Sequence, residues 1–326
     1  MQCNQADGVF QGGGVKALAL VGALLAFAER GYERWINVAG ASAGAMVAAF
    51  LACGHDAYET EQLFRSAPYT RFEDVGPGGR FLGGGWSLMR RRGLARGEYL
   101  RRWIDEQLGG RTFETVSEHG RSRLKVIAAD VTRRKLLVLP DDLADYRVRG
   151  EDGPVDPGSF HIADAVRMSM SLPYFFDPVE LVHHASGSSS TIVDGGMLTI
   201  PVWLFDVEEH NPVRPTFGLQ LIGGRGFGAR LDRGWMGLGW PVKLGSEIFH
   251  TALEAADERF MSRSTRLRTC LVAAGDIGTT DFRLSPLDQT ELVEGGRRAA
   301  RRFLDSFSPE RYRNAYGRRL SAAVLA

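Results

Sequence analysis

Cysteine is scarce in this chain of 326 residues: there are three, Cys3, Cys53 and Cys270. An odd number of widely separated thiols supports neither a disulfide framework nor a zinc cluster, and it fits a reducing, cytoplasmic setting. Net charge is nearly missing as well. Forty basic side chains against 39 acidic ones leave +1, so no global field draws the protein to nucleic acid or to a membrane, and any attraction must come from a local patch. Long hydrophobic runs are lacking too. The longest charge-free stretches, Ala17–Ala28 and Val38–Gly54, fall short of the about 18 apolar residues of a spanning helix. Met1–Asp7 carries no positive charge, and Gly12–Gly14 and Lys16 interrupt the apolar stretch behind it, so no secretory leader is expected. There is no His-Glu-x-x-His, no calcium-loop pattern, no internal repeat and no polar linker. Neither a metal nor an organic cofactor is therefore implied, and no boundary separates independent halves.

What is present suits a large packed core: 44% of the residues are apolar and 24% charged. Gly8–Phe10 and Ile36–Ala39 read as short strands. Each is followed by a glycine-rich turn and by a helix, Val15–Arg30 and Ala45–Cys53, that is apolar nearly all round. Two successive strand–turn–helix units imply a parallel sheet covered on both faces. Lys125–Ala129, Lys135–Leu139, Thr191–Val193, Phe217–Ile222 and Leu271–Ala274 read as further strands. Tyr58–Arg65, Glu98–Leu108, Ala163–Ser169, Leu244–Arg263 and Leu287–Phe307 read as helices, and His183–Ser190 and Gly223–Gly239 as loops. The expectation is one α/β domain over residues 1–326, a three-layer α/β/α arrangement with a mostly parallel central sheet.

Two glycine turns carry chemical possibilities. Gly40-Ala41-Ser42-Ala43-Gly44 is a Gly-x-Ser-x-Gly sequence between a strand and a helix, the setting in which such a turn acts as a nucleophile elbow. The helix amides behind it favour negative charge developing there; the plainer alternative is a serine N-cap among small packing residues. Gly12-Gly13-Gly14-Val15-Lys16-Ala17 admits three readings. A phosphate loop lacks its Gly-Lys-Ser/Thr. A dinucleotide fingerprint fits Gly-x-Gly-x-x-Ala in form, but the second strand ends without the carboxylate that would hold a ribose. The third reading is an oxyanion hole, in which side-chain-free residues let the N–H groups of Gly13 and Gly14 approach a tetrahedral intermediate. Further on, Ile192-Val193-Asp194-Gly195-Gly196 sets a carboxylate at a strand end before two glycines, where Asp194 is either a base or an acidic turn residue.

Taken in order, these pieces resemble the patatin-like phospholipases. Gly12–Lys16 is similar to that family's glycine-triplet turn ending in a basic residue, Gly40–Gly44 to its serine elbow, and Asp194–Gly196 to its Asp-Gly-Gly. Ala128-Ala129-Asp130 and Ala165–Pro178, with a Ser-x-x-x-Pro like the segment lining the acyl pocket, look like further family blocks, and the likeness runs from about residue 7 to 222. It implies a lipase or phospholipase A type of acyl hydrolase. Ser42 would be the nucleophile and Asp194 its base, the amides of Gly12, Gly13, Gly14 and Ala43 the oxyanion hole, and Gly40, Gly44, Gly195 and Gly196 the frame. No cofactor is implied. Two departures stand out: Ala17 where a glycine is common, and Met197–Pro201 where many members have an asparagine before the proline.

Rival readings remain. Ser42, Asp194 and His250 occur in the chain order of an α/β-hydrolase triad, although few strands precede Ser42 and His250 sits in an amphipathic stretch. A catalytically silent lipid-binding protein would be a rival of another class. Lys16 reads as an exposed first-turn lysine without a catalytic role. Between Arg80 and Arg111 eight arginines face three acids and mix with Phe81, Trp86, Leu88, Met89, Leu94, Tyr99 and Trp103. With the loop Gly234–Trp240, this segment is a candidate for peripheral contact with anionic lipid; the plainer reading is solvated arginines and core tryptophans.

Overall fold

The computed structural model describes residues 5–74, 95–197, 201–205, 214–222, 263–275, 277–312 and 314. Its opening follows the sequence pattern: β1 (Gln5–Phe10), a 3-10 turn (Gly14–Lys16), α1 (Ala17–Glu29), β2 (Arg34–Ala41) and α2 (Ala43–Ala52). Because α1 has no polar face, it is buried from Ala17 through Phe27. Next come α3 (Ala57–Ser66), α4 (Tyr69–Phe72), α5 (Glu98–Leu108), the short pair β3 (Ser117–Glu118) and β4 (Arg121–Ser122), β5 (Leu124–Asp130) and β6 (Lys135–Leu139). The chain continues through β7 (Tyr146–Arg147), α6 (Ile162–Ser169), β8 (Val179–His183), β9 (Ser189–Asp194), β10 (Thr216–Ile222), α7 (Arg263–Arg266), β11 (Thr269–Ala273) and α8 (Pro286–Ser306).

Nine of these strands form one sheet in the order β11-β10-β1-β2-β5-β9-β8-β7, with β6 on β5. From β11 to β5 it is parallel, as the strand–helix alternation leads one to expect. The remaining strands add an antiparallel flank. Two of its pairs, β5–β6 and β8–β9, are hairpins with connections too short for a crossover. His183–Ser190, a loop by its composition, contains only the reversal between β8 and β9, closed by the His183 N–H on the Ser188 carbonyl at 2.9 Å.

One apolar cluster runs from Ala6 to Leu304, with α1, α2, α3 and α8 against one face of the sheet. Helices α1 and α8 meet at backbone distance. A Cβ on Gly22 would overlap the Val293 carbonyl and one on Gly296 the Ala19 carbonyl. Their ends are tied by Arg297 and Arg301 on Glu29. On the other face Val9 and Ala39 pack against Val202, Leu204 and Phe205 of a 3-10 turn. Of the expected helix Leu244–Arg263, all but its last residue lies outside the described residues.

The decisive feature for a site is the edge that β5 shares. Strand β2 runs parallel to it and pairs over Leu124–Ile127, ending at Ala41 opposite Ile127. Strand β9 runs antiparallel and pairs over Ala128–Asp130, ending with Asp194 opposite Ala128. The opposite edge of β5 is taken by β6 over Val126–Asp130. Strands β2 and β9 therefore lie end to end on one edge and point at each other. Their C-termini meet at adjacent residues of β5, about one 3.3 Å strand step apart, and this places Ser42 beside Asp194.

Candidate active site

Ser42 follows β2 directly and has φ 54° and ψ −131°. A non-glycine residue in this region is strained, of the order of 1–3 kcal/mol, and such strain persists only where the surroundings over-determine it. The surroundings are tight. A Cβ on Gly40 would overlap the Gly44 carbonyl, and one on Gly44 the carbonyls of Phe10 and Gln11, so both elbow glycines are required for α2 to start this close to β1 and β2. No side-chain cap holds the α2 N-terminus. Ser42 is thus not the capping serine of the plainer reading. Its side chain instead stands beside the Asp194 carboxylate: a Cβ on Gly196 would lie 2.9 Å from Asp194 Oδ1 and 3.7 Å from the Ser42 Cβ.

Asp194 is 3% exposed and Ser42 9%. The Asp194 carboxylate also accepts the N–H of Gly196 at 2.6 Å, so it is a hydrogen-bonded strand-end residue turned inward, not a solvated turn acid. Gly195 lies so close to β5 that a Cβ would overlap the Ile127 carbonyl. Burial pushes the carboxyl up to about 6, and the bonds from Ser42 and Gly196 hold it below where burial alone would leave it. A carboxylate in this position is a stronger base than a solvated one.

The Gly12–Gly14 turn stands over the same point. A Cβ on Gly12 would come 2.6 Å from the Ser42 Cβ, and one on Gly14, whose φ is 57°, would overlap the Thr279 carbonyl. Among the described residues no backbone hydrogen bond takes up the N–H of Gly12 or Gly13, while that of Val15 goes to Thr279 at 3.1 Å. Unoccupied amides beside a serine, with the first amides of α2 behind it, can accommodate a developing oxyanion. Lys16 differs from expectation. It is 8% exposed, because the 3-10 turn tucks it under the glycine loop instead of projecting it to solvent.

The sequence pattern alone did not single out two contributors. The end of α6 supplies Ser169, whose hydroxyl accepts the Ser42 N–H at 2.7 Å. The loop before α8 supplies Thr279 and Phe282, the latter 5.3 Å between ring centroids from Phe175. The Ser-x-x-x-Pro block contained Ser169, but nothing in the sequence marked Thr279.

His250 and His210 lie outside the described residues. His55 approaches Glu59 and His161 approaches Asp105, and His183 bonds Ser186. Of the basic aromatic segment, residues 80–94 lie outside the described residues, as does 234–240. The described half, 95–111, does not carry the apolar surface expected of it. Leu100, Trp103, Ile104 and Leu108 recur at helical spacing and are buried, with Trp103 8% exposed against Phe72 and Phe50. Arg101 pairs with Asp164, and Arg111 donates to the Cys53 carbonyl.

No group of three or more potential metal ligands occurs among the described residues, and none of the described helices is long and apolar enough to cross a membrane. In comparisons with known proteins, residues 8–206 match the family described as patatin-like phospholipase. The chain is 33% identical to the uncharacterised protein YqhO of Bacillus subtilis over 307 residues, 93% of this chain and 99% of that one. Among solved structures it is similar to VipD from Legionella pneumophila, with a TM-score of 0.54 at 18% identity over 93% of this chain and 67% of VipD. It is also similar to the ExoU–SpcU complex of Pseudomonas aeruginosa, with a TM-score of 0.49 at 16% identity over 93% and 51% of the two chains.

Proposed function

The chain belongs to the patatin-like phospholipase family, a family of acyl hydrolases, and from that premise we propose that it cleaves fatty-acyl esters of phospholipids or lysophospholipids through a dyad of Ser42 and Asp194. The observation that carries this reading is the juxtaposition of Ser42 with the buried Asp194 carboxylate, where β2 and β9 end at adjacent residues of β5 and Ser42 holds the carboxyl below where burial alone would leave it. In a serine–histidine–aspartate triad an imidazole stands between those two groups.

The steps follow from the positions. As the Ser42 oxygen bonds to the ester carbonyl carbon, its proton passes to Asp194, and the carbonyl oxygen becomes an anion facing the amides of Gly12, Gly13, Gly14 and Ala43. Collapse of the tetrahedral intermediate breaks the bond to the alcohol, which leaves with the proton from Asp194. Water then attacks the acyl-enzyme and gives its proton to the same carboxylate. Cleavage of the second tetrahedral intermediate frees the fatty acid and restores Ser42. In that last step the proton on Asp194 returns to the Ser42 oxygen, so the ionised carboxylate is regenerated and one proton is shuttled in each half-reaction.

Peripheral contact with anionic lipid belongs to the same proposal. It now rests on residues 80–94 and 234–240, because α5 turns its aromatic residues inward. A fluorophosphonate probe, followed by peptide mapping and a lipid panel read as free fatty acid, tests the reading. Adduct on Ser42 and release of fatty acid from a phospholipid or lysophospholipid are expected; adduct on another serine, or release from none of the lipids, would overturn it.

A further inference from the structure

The two residues of the proposed dyad come from strands that do not pair with each other, so something must hold their backbones in one register. Strand β5 cannot do this alone. Its ladder with β2 ends at Ala41–Ile127, and the positive φ of Ser42 carries the chain beyond it out of the strand, so the Ser42 N–H falls past the last rung. That N–H is taken by the Ser169 hydroxyl at 2.7 Å, and the same hydroxyl donates to the Ile127 carbonyl at 2.6 Å. Ser169 thereby replaces the missing rung between elbow and sheet. It is fully buried at the C-terminal end of α6, where no solvent competes for either bond.

Two residues further along, the Ser171 carbonyl accepts the Asp194 N–H at 3.0 Å. The same turn therefore grips one backbone group from each member of the dyad. It is braced from behind by Arg167. This buried guanidinium donates to the Ser171 hydroxyl at 2.7 Å, the Arg96 carbonyl at 2.6 Å and the Asp177 carbonyl at 2.8 Å, and it lies over the Phe176 ring. The Ser171 hydroxyl in turn donates to the Arg167 carbonyl at 3.1 Å.

We propose that the turn Ser169–Ser171 is the positioning element of the active centre, with the Ser169 hydroxyl fixing the Ser42 elbow against β5 and beside Asp194. The inference rests on the dyad reading above. Ser169 touches neither substrate nor reacting atoms; it acts through the Ser42 backbone.

The test uses the full-length protein and a soluble short-chain ester, with kcat and KM followed against pH. Ser169→Ala removes the rung, and a misplacement of about 1 Å at the nucleophile costs of the order of a hundredfold in kcat. KM should stay within about twofold, since uniform binding is untouched. Because the Ser42 bond holds the Asp194 carboxyl down, loosening it should also move the ascending limb of the pH profile upward from its position near 6. A merely structural serine would not move that limb. Ser190→Ala removes a buried hydroxyl on β9 that has no hydrogen-bond partner among the described residues and serves as control, expected to change neither quantity. Ser169→Thr, which keeps the hydroxyl, should restore most of kcat and the limb. If Ser169→Ala does not fold, Ser169→Cys, nearly isosteric with a weaker donor and acceptor, should give an intermediate loss with the same shift. An unchanged kcat, or a loss that only follows the folded fraction with the limb unmoved, would overturn the proposal. Ser42→Ala is run alongside: full activity there would remove the dyad itself, a failure distinct from unchanged Ser169 variants over an inactive Ser42→Ala.

Discussion

Replacing Asp194 with asparagine should stabilise the fold while it abolishes turnover. The carboxyl titrates at about 6 in the folded chain against 3.8 as a free side chain, because burial penalises its charge more than Ser42 and Gly196 relieve it. At about 1.4 kcal/mol per pKa unit, that difference amounts to about 3 kcal/mol of stability forgone wherever the folded carboxyl must be ionised. Below pH 3.8 both states are protonated and the group contributes nothing. Between 3.8 and 6 the unfolded chain has lost its proton and the folded chain keeps it, so stability falls as pH rises; above 6 the full penalty applies. Asparagine has nearly the same volume, and its amide can still accept from Gly196 and face Ser42, so the penalty disappears without a cavity. Urea unfolding of both proteins at pH 8 and pH 4 is the assay. The variant should be the more stable by up to about 3 kcal/mol at pH 8, with the gap closing toward pH 4. A destabilised variant at pH 8, or a gap that does not depend on pH, would refute the argument that Asp194 is a desolvated base held at an energetic cost.

Three further outcomes follow from the same geometry. Ser42→Gly and Ser42→Ala should both be inactive, but the glycine variant should be the more stable by about 1 kcal/mol in thermal or urea unfolding, because it relieves a positive φ that alanine retains. Activity on a soluble ester should survive EDTA and gain nothing from added calcium, since the proposed mechanism moves the proton through Asp194 and stabilises the oxyanion with backbone amides; a loss restored by calcium would contradict this. Changing Arg90, Arg91 and Arg92 to glutamine should weaken sedimentation with anionic vesicles at low salt while leaving short-chain ester hydrolysis intact, each charge being worth about 1 kcal/mol near such a surface.

Much of the frame was legible because it is written in local terms. An apolar strand followed by Gly-x-Ser-x-Gly and an all-apolar helix leaves few alternatives, and β1, α1, β2 and α2 stand where the pattern put them. Asp194 was legible as a strand-end carboxylate, and its partner Ser42 only through the family resemblance. That β2 and β9 share one edge of β5 is a matter of pairing between segments more than sixty residues apart, and no local period encodes it. The basic segment teaches a different lesson. Its composition suggested a lipid-facing surface, whereas Leu100, Trp103, Ile104 and Leu108 recur at helical spacing, and that spacing marked the inward face of α5. Lys16 and Ser169 were beyond reach for a shared reason: a polar residue in an apolar context is exposed or buried according to partners supplied by distant elements.

The most direct test of the central claim is a mutant cycle on kcat/KM for a phospholipid and for a soluble ester, comparing Ser42→Ala, Asp194→Asn, the double variant and His250→Ala. Residues that act as one unit are not additive. Each dyad variant should therefore lose nearly all activity, the double variant should be scarcely worse than either, and His250→Ala should keep most of it. A folded His250→Ala as inactive as Ser42→Ala, or an Asp194→Asn that still turns over at a substantial fraction of the parent rate, would contradict the account.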